Sequence, residues 1–186
     1  MIEKVKEYVL QRIEEYKETS DDHYDFWEEH IKYVYDESRK LAEKNNADLE
    51  IVSLGALLHD IALINKVGER KDHHINGEIL AKEVLEDLNY DSDKIKRVLK
   101  CVYNHRSSKN AESIEELCVA DADILAHFDN IPMLFHSAYI RNHVELGEIN
   151  NWMKNALEKD YNDLSDRTKK EIKDRYKSMM EIIIKK

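Results

Sequence analysis

Apolar residues recur every three or four positions along most of this chain, the period of a helix with one buried face. Residues 2–17 place Ile2, Val5, Val9, Ile13 and Tyr16 on one stripe. Thr19-Ser20-Asp21-Asp22 interrupts it and offers caps for a second helix. That helix is predicted from about His23 to Lys44, with Trp27, His30, Ile31, Val34, Ser38 and Leu41 on its inner face. Asn45-Asn46 closes it, and Asp48 opens a third. There the alternation stops. Ser53-Leu54-Gly55-Ala56-Leu57-Leu58-His59-Asp60-Ile61-Ala62 is apolar on nearly every side except at His59 and Asp60. A helix apolar all round belongs in a core. An aspartate there is costly unless something pairs with it, and a metal ion satisfies it most simply. Taken alone, the dipeptide fits a core histidine with a capping aspartate equally well.

The polar, basic loop 65–72 follows, and His73 and His74 start a fourth helix with Ile75, Ile79, Leu80, Val84, Leu85 and Leu88 as packing residues. Ser92 is the expected cap of a fifth, whose face carries Ile95, Val98, Leu99, Val102 and His105. A second polar loop spans 106–110. A sixth helix from near Ser113 carries Leu117, Cys118, Asp121, Ile124, Leu125 and Phe128. Pro132 suits the first turn of a seventh, ended by Gly147. Residues 150–186 form one or two further amphipathic helices, with Ile172, Tyr176, Met179, Met180 and Ile183 as a stripe. This tail has no histidine and no evident chemistry, and reads as a packing or oligomerisation surface, a homodimer included. No repeat or low-complexity linker divides the chain, so 1–186 is expected to form one domain with a C-terminal helical extension.

Composition sharpens the fold class. With 4 Gly and 1 Pro in 186 residues and 37% charged residues, the chain is expected to be all-α. A formal net charge of -10 disfavours a nucleic-acid polymer, whose phosphates need a basic footprint, but leaves room for a small phosphorylated ligand. Cys101 and Cys118 sit in apolar contexts without C-x-x-C spacing, as buried free thiols do. The N-terminus lacks an apolar signal core, and no run is long enough for a membrane, so a reducing cytoplasm is the expected compartment.

Beside His59-Asp60, the histidines His30, His73 and His105 and the aspartates Asp121 and Asp123 fall on or near the same predicted core faces. Imidazole nitrogen with hard carboxylate oxygen suits Mn, Fe, Zn, Ni or Co better than a Ca or Mg cage.

The wording around these residues resembles the HD-domain metal-dependent phosphohydrolase superfamily over roughly residues 20–145. Leu57-Leu58-His59-Asp60-Ile61 is similar to its apolar-His-Asp-Ile segment. His73-His74-Ile75-Asn76-Gly77 is similar to its His-x-x-x-Gly helix start. Tyr103-Asn104-His105-Arg106 resembles its further histidine, and Ala122-Asp123-Ile124-Leu125 its closing Ala-Asp segment. The resemblance implies a compact multi-helix bundle with one or two divalent transition-metal ions. His30, His59, Asp60 and Asp123 would be the metal ligands. His73 and His105 match positions that bind a second metal in some branches and the substrate phosphate in others. Periodicity alone favours Asp121, which shares a stripe with Leu117, Cys118 and Leu125; the family wording favours Asp123, which we follow, leaving Asp121 as an alternative ligand or as a residue orienting a ligand histidine. His74 is expected to be a helix-start or solvent residue, and His23, His127, His136 and His143 to be structural or surface residues.

Lys66, Arg70, Lys71, Arg106 and Lys109 lie in the two loops beside the expected ligands. Arg106, next to His105 and able to grip phosphate in two places, is the best substrate-binding candidate, with Lys66 and Arg70 behind it. The expected activity is hydrolysis of a phosphate ester, of a nucleotide or another small phosphorylated metabolite, by metal-activated water. The alternatives are a di-iron oxygenase of the same superfamily and a non-catalytic metal- or nucleotide-binding module.

Overall fold

In a computed structural model that describes residues 1–22 and 24–184, every regular element is helical. The order is α1 (Ile2–Thr19), a wider π-type turn (Trp27–Ile31) leading into α2 (Lys32–Asn45), α3 (Leu49–Leu58) and the short α4 (Ile61–Ile64). Then come α5 (His73–Asp87), α6 (Ser92–Asn104), α7 (Ile114–Asp129) and α8 (Ile131–His136), which runs into a second π-type turn (Ser137–Arg141). Helices α9 (Ile149–Asp163) and α10 (Asp166–Ile184) complete the described chain.

Helix α3 is the hub. Its residues from Ile51 to Leu58 are all buried, and α1, α2, α6 and α7 pack around it. Each fully buried Leu or Ile there contributes about 1.5–3 kcal/mol relative to an exposed one. Its start is held as the sequence predicts. The Asp48 carboxylate accepts from the backbone N–H groups of Glu50 (3.1 Å) and Ile51 (3.3 Å). Arg97 of α6 donates to Asp48 (2.9 Å) and to Glu115 of α7 (3.1 Å), joining three helices at one end. At Gly55 the backbones of α3 and α6 come so close that a Cβ would lie 2.6 Å from the Cys101 Cβ.

Several local expectations shift. The predicted start of the second helix at His23 lies outside the described residues. Helical backbone begins at Phe26, and the cap is Asp25, whose carboxylate accepts from Trp27 N–H (3.0 Å) and Glu28 N–H (3.2 Å). Asp91, not Ser92, caps α6 through Asp93 N–H and Lys94 N–H. The seventh predicted helix stops at Arg141, and Gly147 lies in a separate short turn, Leu146–Glu148. On α5, Ile75 and Ile79 are exposed. The helix instead turns Gly77, Ala81, Val84 and Leu85 inward, because small residues let it lie close against α4 and α6. Among the described residues no helix is long and apolar enough to cross a membrane.

The C-terminal helices fold back onto the bundle. Helix α9 packs on α7 and buries Met153 and Leu157. Helix α10 packs on α9, with Tyr161 and Tyr176 stacked at 4.0 Å between ring centroids.

Gly55→Ala should lower the unfolding free energy by about 1–3 kcal/mol, the usual cost of an overpacked core site, measured by urea denaturation. An unchanged midpoint would mean that α3 and α6 separate freely and that the close approach is not required.

Candidate metal centre

The polar cluster forms where four helix ends and the flank of α7 meet. His59 follows the last residue of α3, His105 follows the last of α6, and His73 follows the short turn Arg70–Asp72. A helix end leaves its last carbonyls without intrahelical partners. Each of these histidines uses the carbonyl three residues back: His59 Nδ1 donates to Ala56 O (2.7 Å), His105 Nδ1 to Val102 O (2.6 Å) and His73 Nδ1 to Arg70 O (2.7 Å). That bond sets the tautomer and aims Nε2 at the cluster, the role an outer partner plays for a metal-binding histidine. His30 arrives on the π-type turn before α2. Such local widenings occur often at functional sites.

Two groups of donor atoms result, joined through Asp60. In the first, His30 Nε2 lies 3.1 Å from His59 Nε2, 3.0 Å from Asp123 Oδ1 and 3.7 Å from Asp60 Oδ2. His59 Nε2 lies 3.6 Å from Asp123 Oδ1 and 3.7 Å from Asp60 Oδ2. In the second, His73 Nε2 and His105 Nε2 are 2.8 Å apart. Asp60 Oδ1 stands 3.3 Å from the former and 3.9 Å from the latter. Ligands bound at about 2.0–2.2 Å from one ion sit roughly 3–3.6 Å apart, and the separations in the two groups, 2.8–3.9 Å, lie around that spacing.

The chemistry of the donors supports an ion. With both Nδ1 protons given to carbonyls, the Nε2 atoms of His73 and His105 face each other at 2.8 Å, lone pair to lone pair unless a proton or a metal ion lies between them. Protonation is a poor remedy for His105, since burial holds its pKa down to about 4. A cation between the two nitrogens removes the repulsion. His30 is also held below its usual range, chiefly by burial, and its Nδ1 is buried without a partner. Burial pushes the Asp60 carboxyl up, but positive charge on the surrounding rings of His59, His30, His73 and His105 outweighs it and lowers it, so the carboxylate is stable where a cation stands beside it. Burial acts the same way on Asp123, and His30 overrides it. The six residues therefore offer imidazole nitrogen and carboxylate oxygen, the donor set that a divalent transition metal takes.

The expected residues sort plainly. His30, His59, Asp60, His73, His105 and Asp123 come together. Asp121 does not join them. It lies about 200° around α7 from Asp123, and its carboxylate accepts from Ser108 Oγ (2.6 Å), Ser165 N–H (2.9 Å), Ser165 Oγ (2.5 Å) and Thr168 Oγ1 (2.6 Å). It is neither an alternative ligand nor an orienting partner of a ligand histidine, but the anchor of the α9–α10 corner. Lys66 also stays away from the site. Its ammonium donates to Thr19 O (2.7 Å) and Thr19 Oγ1 (3.0 Å) and covers the Tyr16 ring. Arg70 and Arg106 do line the cleft over the cluster, a space of about 150 Å³. A larger groove of about 570 Å³, lined in part by His74 and Tyr103, shares Arg106 and Lys159 with it.

Three site residues escaped the sequence reading. His127 was expected to be structural, and the tail to carry no chemistry, yet His127, Lys159 and Asp160 line the cleft. His127 Nδ1 donates to Asp160 Oδ2 (2.8 Å). Burial opposes charge on His127, but Asp160 outweighs it and raises the pKa to about 9. The one available signal was the i, i+4 spacing of Asp123 and His127, which puts both on one helix face.

The family model for the HD domain matches residues 27–127. The chain belongs to the HD domain family. That match spans the helices carrying the six clustered residues and stops before α8, α9 and α10. Two solved structures share the fold. An HD-superfamily hydrolase from Bacillus thuringiensis is 22% identical, with TM-score 0.69 over 98% of this chain and 95% of that one. A predicted HD superfamily hydrolase from an uncultured Thermotogales bacterium is 21% identical, with TM-score 0.64 over 95% and 88%. The tRNA (cytidine(56)-2'-O)-methyltransferase of Picrophilus torridus is 31% identical across a segment covering 55% of this chain and 32% of that protein. The chain thus spans about a third of the length of that curated relative.

Asp121→Asn removes a charged acceptor of four hydrogen bonds and turns an amide N–H₂ toward donors. Bonds to a charged group contribute about 1.5–3 kcal/mol each, so stability should fall by at least about 2 kcal/mol in urea titration. Metal content by elemental analysis should stay at the wild-type value; loss of metal would place Asp121 at the centre after all.

Proposed function

We propose that this HD-domain protein is a metal-dependent phosphohydrolase acting on a small phosphate ester, a nucleotide or another phosphorylated metabolite. The observation that carries the reading is the pair of donor groups sharing Asp60 at the floor of a cleft whose rim is cationic. His30, His59, Asp60 and Asp123 would hold one ion, and His73, His105 and Asp60 a second. When bound, such an ion supplies Lewis acidity, lowering the pKa of water and polarising a phosphoryl oxygen.

The chain's own groups supply the rest. Arg106 Nη1 donates to Lys71 O (2.7 Å), which ties the side chain to the opposite loop. The guanidinium carries five N–H donors, so most remain for an anion. Arg70 and Lys159 line the same cleft. In a chain of net charge -10, this rim is a local reversal of sign suited to phosphate. Fixed donors at that rim bind the phosphoryl oxygens and meet the charge that develops on them during transfer. The dimensions and the overall acidity favour a small molecule over a nucleic-acid polymer.

Metal analysis of the purified protein, followed by a screen of phosphorylated metabolites with that metal restored, tests the reading. No release of phosphate from any of them, together with oxygen consumption and mixed-valent iron signals, would instead point to oxygenase chemistry in the same six-residue set.

His59→Ala and Asp60→Ala should each abolish bound metal and activity while leaving helical circular dichroism near wild type. Stoichiometric metal in both variants would refute the centre. Arg106→Ala should keep its metal and lose roughly ten- to a hundred-fold in kcat/KM, the worth of one charge-assisted contact. Arg106→Lys should recover part of that, since a point charge cannot make the two-point contact. Wild-type kinetics in Arg106→Ala would move phosphate binding to Arg70 and Lys159.

A further inference from the structure

We propose that His127, oriented by Asp160 from outside the family segment, is an additional ligand of the ion held by His30 and Asp123. The inference rests on the metal-centre reading above and extends it to a residue that the family pattern leaves out. A ring nitrogen of His127 lies within 4.8 Å of ligand atoms of both His30 and Asp123. His127 is four residues after Asp123 on α7, so the two side chains share a face.

The ring is also held as ligand rings are held. His59, His73 and His105 each donate Nδ1–H to an oxygen and leave Nε2 for the cluster. His127 donates its Nδ1–H to the Asp160 carboxylate at 2.8 Å, a carboxylate–histidine arrangement that fixes a ring and raises its donor strength. The His127 ring lies against that of His30, with centroids 5.8 Å apart and planes 22° from parallel, which restricts its rotation. His30 Nδ1 has no such partner, so the packing braces the least constrained ring of the set.

Asp160 sharpens the point. It is buried, 8% exposed, and His127 is its only side-chain hydrogen-bond partner among the described residues. A buried carboxylate paired with one imidazole is costly. That cost is offset when the far nitrogen bears a positive charge, either a proton or, in its place, a metal ion. The site would then draw on α9, beyond residue 127 where the family match ends.

The test uses the full-length protein stripped of metal and titrated with Co(II), and reads the ion rather than turnover. Isothermal titration gives affinity, visible absorption gives the coordination sphere, and proton spectra reveal the shifted, exchangeable Nδ1–H of each coordinated ring. His127→Gln should weaken the tighter cobalt site at least tenfold, alter its absorption and remove one exchangeable shifted proton. Asp160→Asn should weaken the same site by roughly ten- to a hundred-fold, as changes to a ligand's outer partner do. Thermal melts by circular dichroism, with both variants folded, separate this from a folding defect. If His127→Gln matches wild type in affinity, absorption and proton count, His127 is not a ligand and faces substrate instead, while the six-residue centre stands. If wild type binds no more cobalt than His59→Ala, the centre itself fails and this ligand with it.

Discussion

Four imidazoles and two carboxylates are gathered at one point of a core of Leu, Ile and Val side chains, with neighbouring donor atoms 2.8–3.9 Å apart. This concentration of polar groups is the demand that the rest of the molecule meets. Burying them without compensation would cost far more than the few kcal/mol by which domains of this size are stable. Part of the compensation is local. The ends of α3 and α6 lend carbonyls to His59 and His105, so orphan acceptors and buried donors cancel there, and the turn before α5 lends Arg70 O to His73. The remaining imbalance is a surplus of inward-facing lone pairs and negative charge, which is the definition of a cation site.

The bundle is built to hold those ends in register. Helix α3 is buried on every side so that His59 and Asp60 emerge at a fixed point. Gly55 and Gly77 allow the neighbouring helices to approach closely: a Cβ on Gly77 would lie 3.5 Å from the His59 carbonyl oxygen. The wider turn at His30 rotates that ring into the cluster. The C-terminal helices act at longer range. Asp121 locks their corner through Ser165 and Thr168, and α9 then carries Lys159 and Asp160 over the cleft. Two aspartates only two residues apart on α7 thus serve opposite faces, one turned to the proposed ion and one to the tail.

The helical character, the central helix and the six clustered residues were legible in the chain. Poverty in glycine and proline, an apolar run at Ser53–Leu58 and the fixed wording around His59-Asp60 and Ala122-Asp123 are local signals, and local signals survive in sequence. Periodicity misplaced Ile75 and Ile79 because α5 presents small residues inward, and hydrophobic pattern weighs size in the wrong direction there. It also favoured Asp121 over Asp123. That preference was correct about burial and wrong about the destination, since α7 is packed on both sides.

What the sequence determined by itself was which residue types stand at helix ends, and therefore what chemistry the chain could gather. Which of them actually meet was decided by tertiary structure. The chain holds nine histidines, and the local signal that separates His127 from His136, its i, i+4 spacing from Asp123, says only which helix face it shares. The separation comes from α9, which brings Asp160 beside one and not the other. Lys66 and Arg106 look alike as loop cations, yet one folds back on Thr19 and the other spans the cleft to Lys71. A residue's own neighbours set its helix face to within about 100°. Only the packing of distant helices determines what that face meets.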